Sequence, residues 1–133
     1  MIELTLPFPP SVNQYYRHIV LRGQPRTLIS QDGRTYQSQV STAWKKLQAI
    51  QRCPFPPLEC RLGVTVNVYS PDRRKRDLDN LGKSLLDAMT KARIWVDDSQ
   101  IDRLSFERRE VVSGGYVRVV ISEIPTTELK ETP

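Results

Sequence analysis

The chain has 133 residues, 38% of them apolar and 26% charged, with a formal net charge of +5. Such a composition excludes a disordered chain. The length suits one domain that buries roughly two thirds of its unfolded surface and needs no disulfide or metal staple. No apolar run approaches the ~18 residues of a membrane span. The opening MIELTLPFPP lacks the basic stretch of a secretory signal and is broken by proline, so a soluble, cytoplasmic protein with no membrane partner is expected. A pI of about 9.5 favours a polyanionic partner such as nucleic acid. Cys53 and Cys60 match no common zinc or redox spacing and are expected as free thiols in a reducing compartment.

Ile2 to Leu6 alternates apolar and polar residues and predicts a first strand, stopped by the prolines at 7, 9 and 10. Ser11 to His18 is expected as an irregular polar and aromatic loop. Arg26 to Ser30 predicts a short strand, with a turn at Asp32-Gly33. From about Arg34 to Gln51, Tyr36, Val40, Ala43, Trp44, Leu47 and Ile50 recur at three- and four-residue steps and form the apolar stripe of a helix. The run CPFPP ends it. Leu62, Val64, Val66 and Val68 then alternate with Gly63, Thr65 and Asn67 as a half-buried strand. A second helix is predicted from about Asp79 to Ala92, with Leu81, Leu85, Ala88, Met89 and Ala92 as its stripe. Gly82 inside it costs about 1 kcal/mol relative to alanine and points to the close approach of another backbone. Lys83 and Asp87 stand at the i, i+4 spacing of a pair. IWVDDSQ is expected as a loop. Arg103–Val112 and Tyr116–Glu123 predict a hairpin about Ser113-Gly114-Gly115. The fold class is therefore α+β: one mixed, mostly antiparallel sheet packed with two main helices, spanning residues 1–124, with a polar tail over 125–133.

The chemistry concentrates in DRRKRDLDNLGK, residues 72–83. Four cations, Arg73, Arg74, Lys75 and Arg76, run directly into two aspartates, Asp77 and Asp79. A polyanion held by the first four would be repelled by the last two, unless a divalent cation lies between them. Asp97 and Asp98 supply a second acidic pair, if the chain after the helix runs back along it. Two carboxylates ~5 Å apart repel by roughly 3 kcal/mol at an effective dielectric near 20, so a cluster of three calls for a counter-charge. Oxygen-only ligands point to Mg²⁺ or Mn²⁺, and a single histidine, His18, argues against a histidine-rich zinc site. Carboxylates holding Mg²⁺, with Lys83 one turn after Asp79 to steady developing negative charge, suit phosphodiester hydrolysis. The plainer alternatives stay open here. Asp77 or Asp79 is equally suited to cap the second helix. The basic run can be a solvated loop, Asp97-Asp98 a turn, and Trp95 part of the core.

Four stretches together, LPFPPSVNQYYRH, RDLDN-L-x-K, DA-x-TKA and W-x-DD, resemble the RusA-type Holliday junction resolvases of bacteria and their phages, over about Leu4 to Glu123. The resemblance implies a small homodimeric, magnesium-dependent endonuclease, with Mn²⁺ as a substitute, that cuts four-way DNA junctions symmetrically in a bacterial or phage-infected cell. It places the essential acids, which are also the metal ligands, at Asp77, Asp79 and Asp98, and the important lysine at Lys83. Asp97 and Asp87 fall just outside the ligands. Arg76 and Asn80 match positions associated with DNA contact, beside Arg73, Arg74 and Lys75, and the first stretch adds Asn13, Tyr15 and Tyr16. Two other expectations compete with junction resolution: a nuclease for flaps, forks or other branched DNA, and a basic DNA-binding accessory protein without catalysis.

Overall fold

The computed structural model describes residues 1–51 and 56–125. Cys53, most of the proline-rich break and all but the first residue of the expected tail lie outside them. Cys60 is a free thiol.

The elements in chain order are β1 (Ile2–Pro7), α1 (Val12–Tyr15), β2 (Tyr16–Leu21), β3 (Gln24–Ile29), α2 (Gln31–Gln51), β4 (Leu62–Tyr69), α3 (Leu78–Lys91), a 3₁₀ turn (Asp98–Gln100), β5 (Ile101–Arg108) and β6 (Tyr116–Glu123). The fold is α+β, with one mixed sheet in the order β1-β6-β4-β5. β1 and β4 both pair antiparallel with β6, and β4 pairs parallel with β5. The expected hairpin between the last two strands is not formed. A parallel pair needs a long crossover, and α3 provides it: β4, α3 and β5 form one βαβ unit that sets β5 beside β4. Residues 109–115 then pass over the end of β4. The Arg109 N–H bonds the Val68 carbonyl at 2.8 Å, and the Val112 N–H bonds that of Ser70 at 2.9 Å. The chain enters β6 on the far side of β4. Gly115, at φ +66°, turns it there, where a Cβ would lie 2.8 Å from Pro71 Cδ.

Burial explains the strand order. Val117, Val119 and Ile121 are buried on every second residue of β6, as a central strand requires, whereas β5 buries none of its residues fully and takes the edge. One face of the sheet, carrying Leu4, Leu6, Val64, Val66, Val68, Val117, Val119 and Ile121, packs with Tyr36, Val40 and Trp44 of α2 and with Leu81, Leu85, Ala88 and Met89 of α3. At roughly 1.5–3 kcal/mol for each large side chain buried, this layer holds the two helices in place. Gly82 is required by a side chain rather than by a backbone: a Cβ there would lie 2.7 Å from Cζ of Phe106 on β5.

Residues 16–29, expected as a loop followed by a short strand, form a two-stranded hairpin apart from the main sheet. Its turn has φ +53° at Arg22 and +77° at Gly23, the pair of positive values that matches strand twist. Asp32-Gly33 is not a turn but the first turn of α2. Ser30 Oγ accepts from the Gly33 N–H at 3.0 Å and donates to the Tyr15 carbonyl at 2.9 Å. A Cβ on Gly33 would run into that same carbonyl. Glycine thus lets α2 close on the end of α1 and fixes Tyr15.

Candidate active site

The loop from β4 into α3 is organised by Asp72. Its Oδ1 accepts from the Arg74 N–H at 2.9 Å and from the Arg76 guanidinium at 2.7 Å. The bond from Arg76, then that from the Arg74 backbone, holds its carboxyl down at about 2. Arg76 is drawn back over the loop, with its guanidinium carbon 5.4 Å from the centroid of the Phe8 ring. Its carbonyl accepts from the Arg108 guanidinium of β5. Arg73, Arg74 and Lys75 are exposed. Three cations of the run therefore face solvent, and the fourth is braced.

Asp77 occupies the cap position of α3, with φ −84° and ψ 132°, yet its side chain makes no capping bond. Asp79 follows in the first turn, and both residues are exposed. The helix N-terminus, about half a positive charge, favours carboxylates there. Beside them lies a cleft of about 750 Å³, between Phe8-Pro9-Pro10 on one side, Thr35 and Gln39 of α2 on another, and Arg74 to Asp77 with Asn80 on the third. Asn80 is exposed at its edge.

Further along α3, Lys83 sets its ammonium 5.3 Å from the centroid of the Tyr16 ring. Asp87 takes the Tyr15 hydroxyl instead of the lysine that spacing suggested. Tyr15 is fully buried, and its oxygen also accepts from Gln37 Nε2 at 2.7 Å. Burial, and next the bond to Asp87, push its hydroxyl far above the usual tyrosine range. The Tyr15 side chain thus has no face to offer DNA, contrary to expectation. Tyr16 packs edge-on against it at 4.7 Å and stays partly open. Its own hydroxyl is shifted upward by burial first, then by the charges of Asp87 and Asp98. Asn13, on α1, is exposed.

Asp97 and Asp98 have separate tasks. Asp97 caps the 3₁₀ turn, accepting from the Ser99 N–H at 3.1 Å, while its own N–H bonds Gln100 Oε1 at 2.9 Å. The Ser99 backbone bond is the first reason that its pKa is lowered. Asp98 is pushed up, first by partial burial of its carboxyl, then by Asp97 and by the charge of Asp87. Trp95 is core: it is 0% exposed and donates to Thr90 Oγ1 at 2.7 Å.

The segment after α3 brings Asp98 into the neighbourhood of Asp87 and not of Asp77 and Asp79. Asp79, Lys83 and Asp87, spaced by four, lie along one flank, and Asp98 is within electrostatic reach of the last. Asp79 precedes Asp87 by eight residues, about 12 Å of helix rise. Among the described residues, no three His, Cys, Asp or Glu side chains stand close enough to hold a metal ion together. The donors are of the type a hard cation takes, but they are strung along α3 and not gathered.

The family model described as "Endodeoxyribonuclease RusA" matches residues 7–122. The chain belongs to the RusA endodeoxyribonuclease family. It is 37% identical over 122 residues to the crossover junction endodeoxyribonuclease RusA of Shigella sonnei strain Ss046, covering 92% of this chain and 94% of that protein. The RusA of Escherichia coli strain K12 is 36% identical and that of Enterobacteria phage 82 is 37% identical, with the same coverage. Relatives thus come from bacteria and from a phage. Among the described residues, no helix is long and apolar enough to cross a membrane.

Sequence reasoning missed four residues of this RusA-family site: Asp72, which braces Arg76; Arg108, which holds the Arg76 carbonyl; Phe8, beneath Arg76; and Gln37, behind Tyr15. Asp72 carried a local signal, an aspartate two residues before the N–H it caps. The others act across 22 to 68 residues of chain, and nothing local marks them.

Proposed function

We propose that this RusA-family chain is a structure-selective endonuclease that resolves four-way DNA junctions by paired phosphodiester hydrolysis, with Mg²⁺ or Mn²⁺, as a homodimer in the cytoplasm of a bacterial or phage-infected cell. The observation that carries the reading is Asp77. It stands where a helix cap stands, and the cap bond is not made. A carboxylate spared from the structural task that its position invites is available for chemistry.

The residues divide the work by position. Arg73, Arg74 and Lys75, exposed on the loop, grip backbone phosphates, and each neutralised phosphate makes binding more sensitive to salt. Arg76 presents a guanidinium already oriented by Asp72 and Phe8, so less side-chain freedom is lost when it meets a phosphate. Asp77, Asp79 and Asp98 would hold the cation, which supplies Lewis-acid polarisation of the phosphate and a more acidic bound water. The exposed Asp77 and Asp79 side chains are free to turn toward it. Lys83, one turn after Asp79, offers its ammonium to the negative charge that develops on the phosphate oxygens. A four-way junction has approximate two-fold symmetry, and a two-fold dimer brings two copies of one site to opposed strands.

The test compares a mobile four-way junction, a flap and a fork, each with and without Mg²⁺. Paired, metal-dependent nicks in the junction support the proposal. Faster cleavage of flap or fork shifts the substrate to other branched DNA, and tight binding without product leaves a DNA-binding module.

A further inference from the structure

Between Glu3 and Asp32 the chain carries no acidic residue, and the β2–β3 hairpin within that stretch carries Arg17, Arg22, Arg26 and His18. The hairpin pairs with no strand of the main sheet, and its extended strands reach about 17 Å from root to tip. Elsewhere the arginines Arg61, Arg76, Arg109 and Arg118 each hold a carboxylate. Among the described residues, Arg17, Arg22 and Arg26 make no ion pair. Successive residues of a strand point to opposite faces. The register therefore puts Arg17 with Leu28, Ile19 with Arg26, and Leu21 with Gln24 on one face, where cations and apolar side chains alternate. The opposite face begins at Tyr16 and Ile29, which pack against the core, so the alternating face is turned outward. Val20 is 74% exposed, Leu21 54% and Leu28 47%. Leu21, Arg22, Gln24 and Arg26 line a notch of about 370 Å³ at the tip. The root adjoins the candidate site, since the Lys83 ammonium lies 5.3 Å from the ring centroid of Tyr16, the first residue of β2. Exposed apolar groups alone would suit a protein partner. An isologous contact with a second copy, however, would press unpaired arginines of like charge together, whereas a polyanion neutralises them.

We propose that the β2–β3 ribbon is a second DNA-binding element, separate from the basic run at residues 73–76. Its outward face lies on a junction arm, with Arg17 and Arg26 on backbone phosphates. Its tip, Val20 to Arg22, enters the branch point and packs apolar side chains on the base pairs there. The inference rests on the endonuclease reading above and adds to it how branched DNA is told from a plain duplex. A two-stranded ribbon fits the major groove of B-form DNA. Apolar wedges enter DNA by unstacking base steps, and that costs least where stacking is already interrupted, as it is at a branch point. Phosphate contacts from Arg17 and Arg26 serve any duplex, whereas the tip gains only where bases are open.

The experiment uses the full chain and two variants, Arg17→Ala with Arg26→Ala, and Val20→Ser with Leu21→Ser. It measures affinity for a four-way junction and for a linear duplex across a salt series, without divalent metal, together with melting temperature and oligomeric state. All four substituted side chains are exposed, so neither variant should melt lower than wild type. The arginine variant should bind both DNAs more weakly, and its slope of log affinity against log salt should fall by about two units. The tip variant should lose about 10-fold in junction affinity, with its duplex affinity and salt slope unchanged. A junction carrying 2-aminopurine at the branch point should brighten with wild type and not with the tip variant. Wild-type junction affinity in the arginine variant, or a wild-type ratio of junction to duplex affinity in the tip variant, would overturn the proposal. Loss of self-association in the tip variant, with DNA binding intact in the arginine variant, would also overturn it and give the ribbon to a second copy. Cleavage of the junction by wild type with Mg²⁺ separates the two levels. If wild type never nicks it, the endonuclease reading has failed; if wild type nicks it while both variants bind and select like wild type, only the role of the ribbon has.

Discussion

At the head of α3, Asp77 and Asp79 stand exposed at a positive helix end, and Asp77 leaves its capping bond unmade. Two to three turns on, Asp87 is held by a buried tyrosine, and Asp98 is crowded by Asp97 and Asp87. The first pair is open to solvent. In the second, Asp87 is held by Tyr15, and the pKa of Asp98 is raised by partial burial and then by its acidic neighbours. On the proposed endonuclease reading, Asp77 and Asp79 remain free to turn toward a cation, whereas Asp87 is already oriented by Tyr15.

The comparison breaks most visibly at Asp77. Asp77→Asn should reduce junction cleavage by a factor on the order of 10³ or more while junction binding persists, as gel-based cleavage and binding assays would show. Without metal the variant should melt no lower than wild type, since no cap bond is lost and repulsion is relieved. A sharp drop in melting temperature would make Asp77 a cap after all. Lys83→Met comes next. It keeps much of the side-chain length, removes the ammonium, and should slow the chemical step by about 10²-fold. An unchanged rate in single-turnover cleavage would confine Lys83 to its contact with Tyr16.

Arg76→Ala should weaken junction binding and lower the slope of log affinity against log salt by about one unit. Asp72→Asn should weaken binding less, because the guanidinium remains and only its bracing is lost. A salt titration in which Asp72→Asn does more damage than Arg76→Ala would contradict that order.

The smallest effects come from pH, and the two regions should respond with opposite sign. Asp72, held down at about 2 against an ordinary 3.8, contributes stability that is present above about 3.8 and is lost as pH falls toward 2. Asp98 is raised, so the folded protein holds that proton more tightly than the unfolded chain. Its contribution is present below about 3.8 and is lost as pH rises through the shifted value. Melting curves of Asp72→Asn and Asp98→Asn across the acid range should each flatten one of these limbs. Flattening of the same limb by both would refute the contrast.

Much of the scaffold was legible in the sequence because its signals are local. The alternation of Leu62 to Val68 and the stripes of Tyr36–Val40–Trp44 and Leu81–Leu85–Ala88 mark elements that bury one face, and β4, α2 and α3 follow them. Which strand lies beside which was not legible. Ser113-Gly114-Gly115 has the chemistry of a hairpin turn, but the α3 crossover had already assigned β5 to the edge beside β4. The β2–β3 hairpin was half missed because its strands are largely exposed and carry no core alternation. At the candidate site, RDLDN and DD mark the acidic residues by type and spacing alone. Their arrangement depends on Tyr15, Gln37 and Phe106, whose roles arise from contacts across 22 to 72 residues of chain. Tyrosine is equally at home in a core and on a DNA-facing surface, so residue type alone could not place Tyr15.

The most direct test is to locate the cation. Crystals grown with Mn²⁺, of the wild-type protein and of the Asp77→Asn protein bound to a four-way junction, would show the metal by its anomalous scattering. The account predicts a peak in the wild-type protein on the flank of α3, with Asp77, Asp79 and Asp98 oxygens drawn to about 2.0–2.4 Å, and a weaker peak at that place after the Asp77→Asn substitution. A peak elsewhere, or Asp98 left apart from Asp77 and Asp79 in the metal-bound wild type, would contradict it.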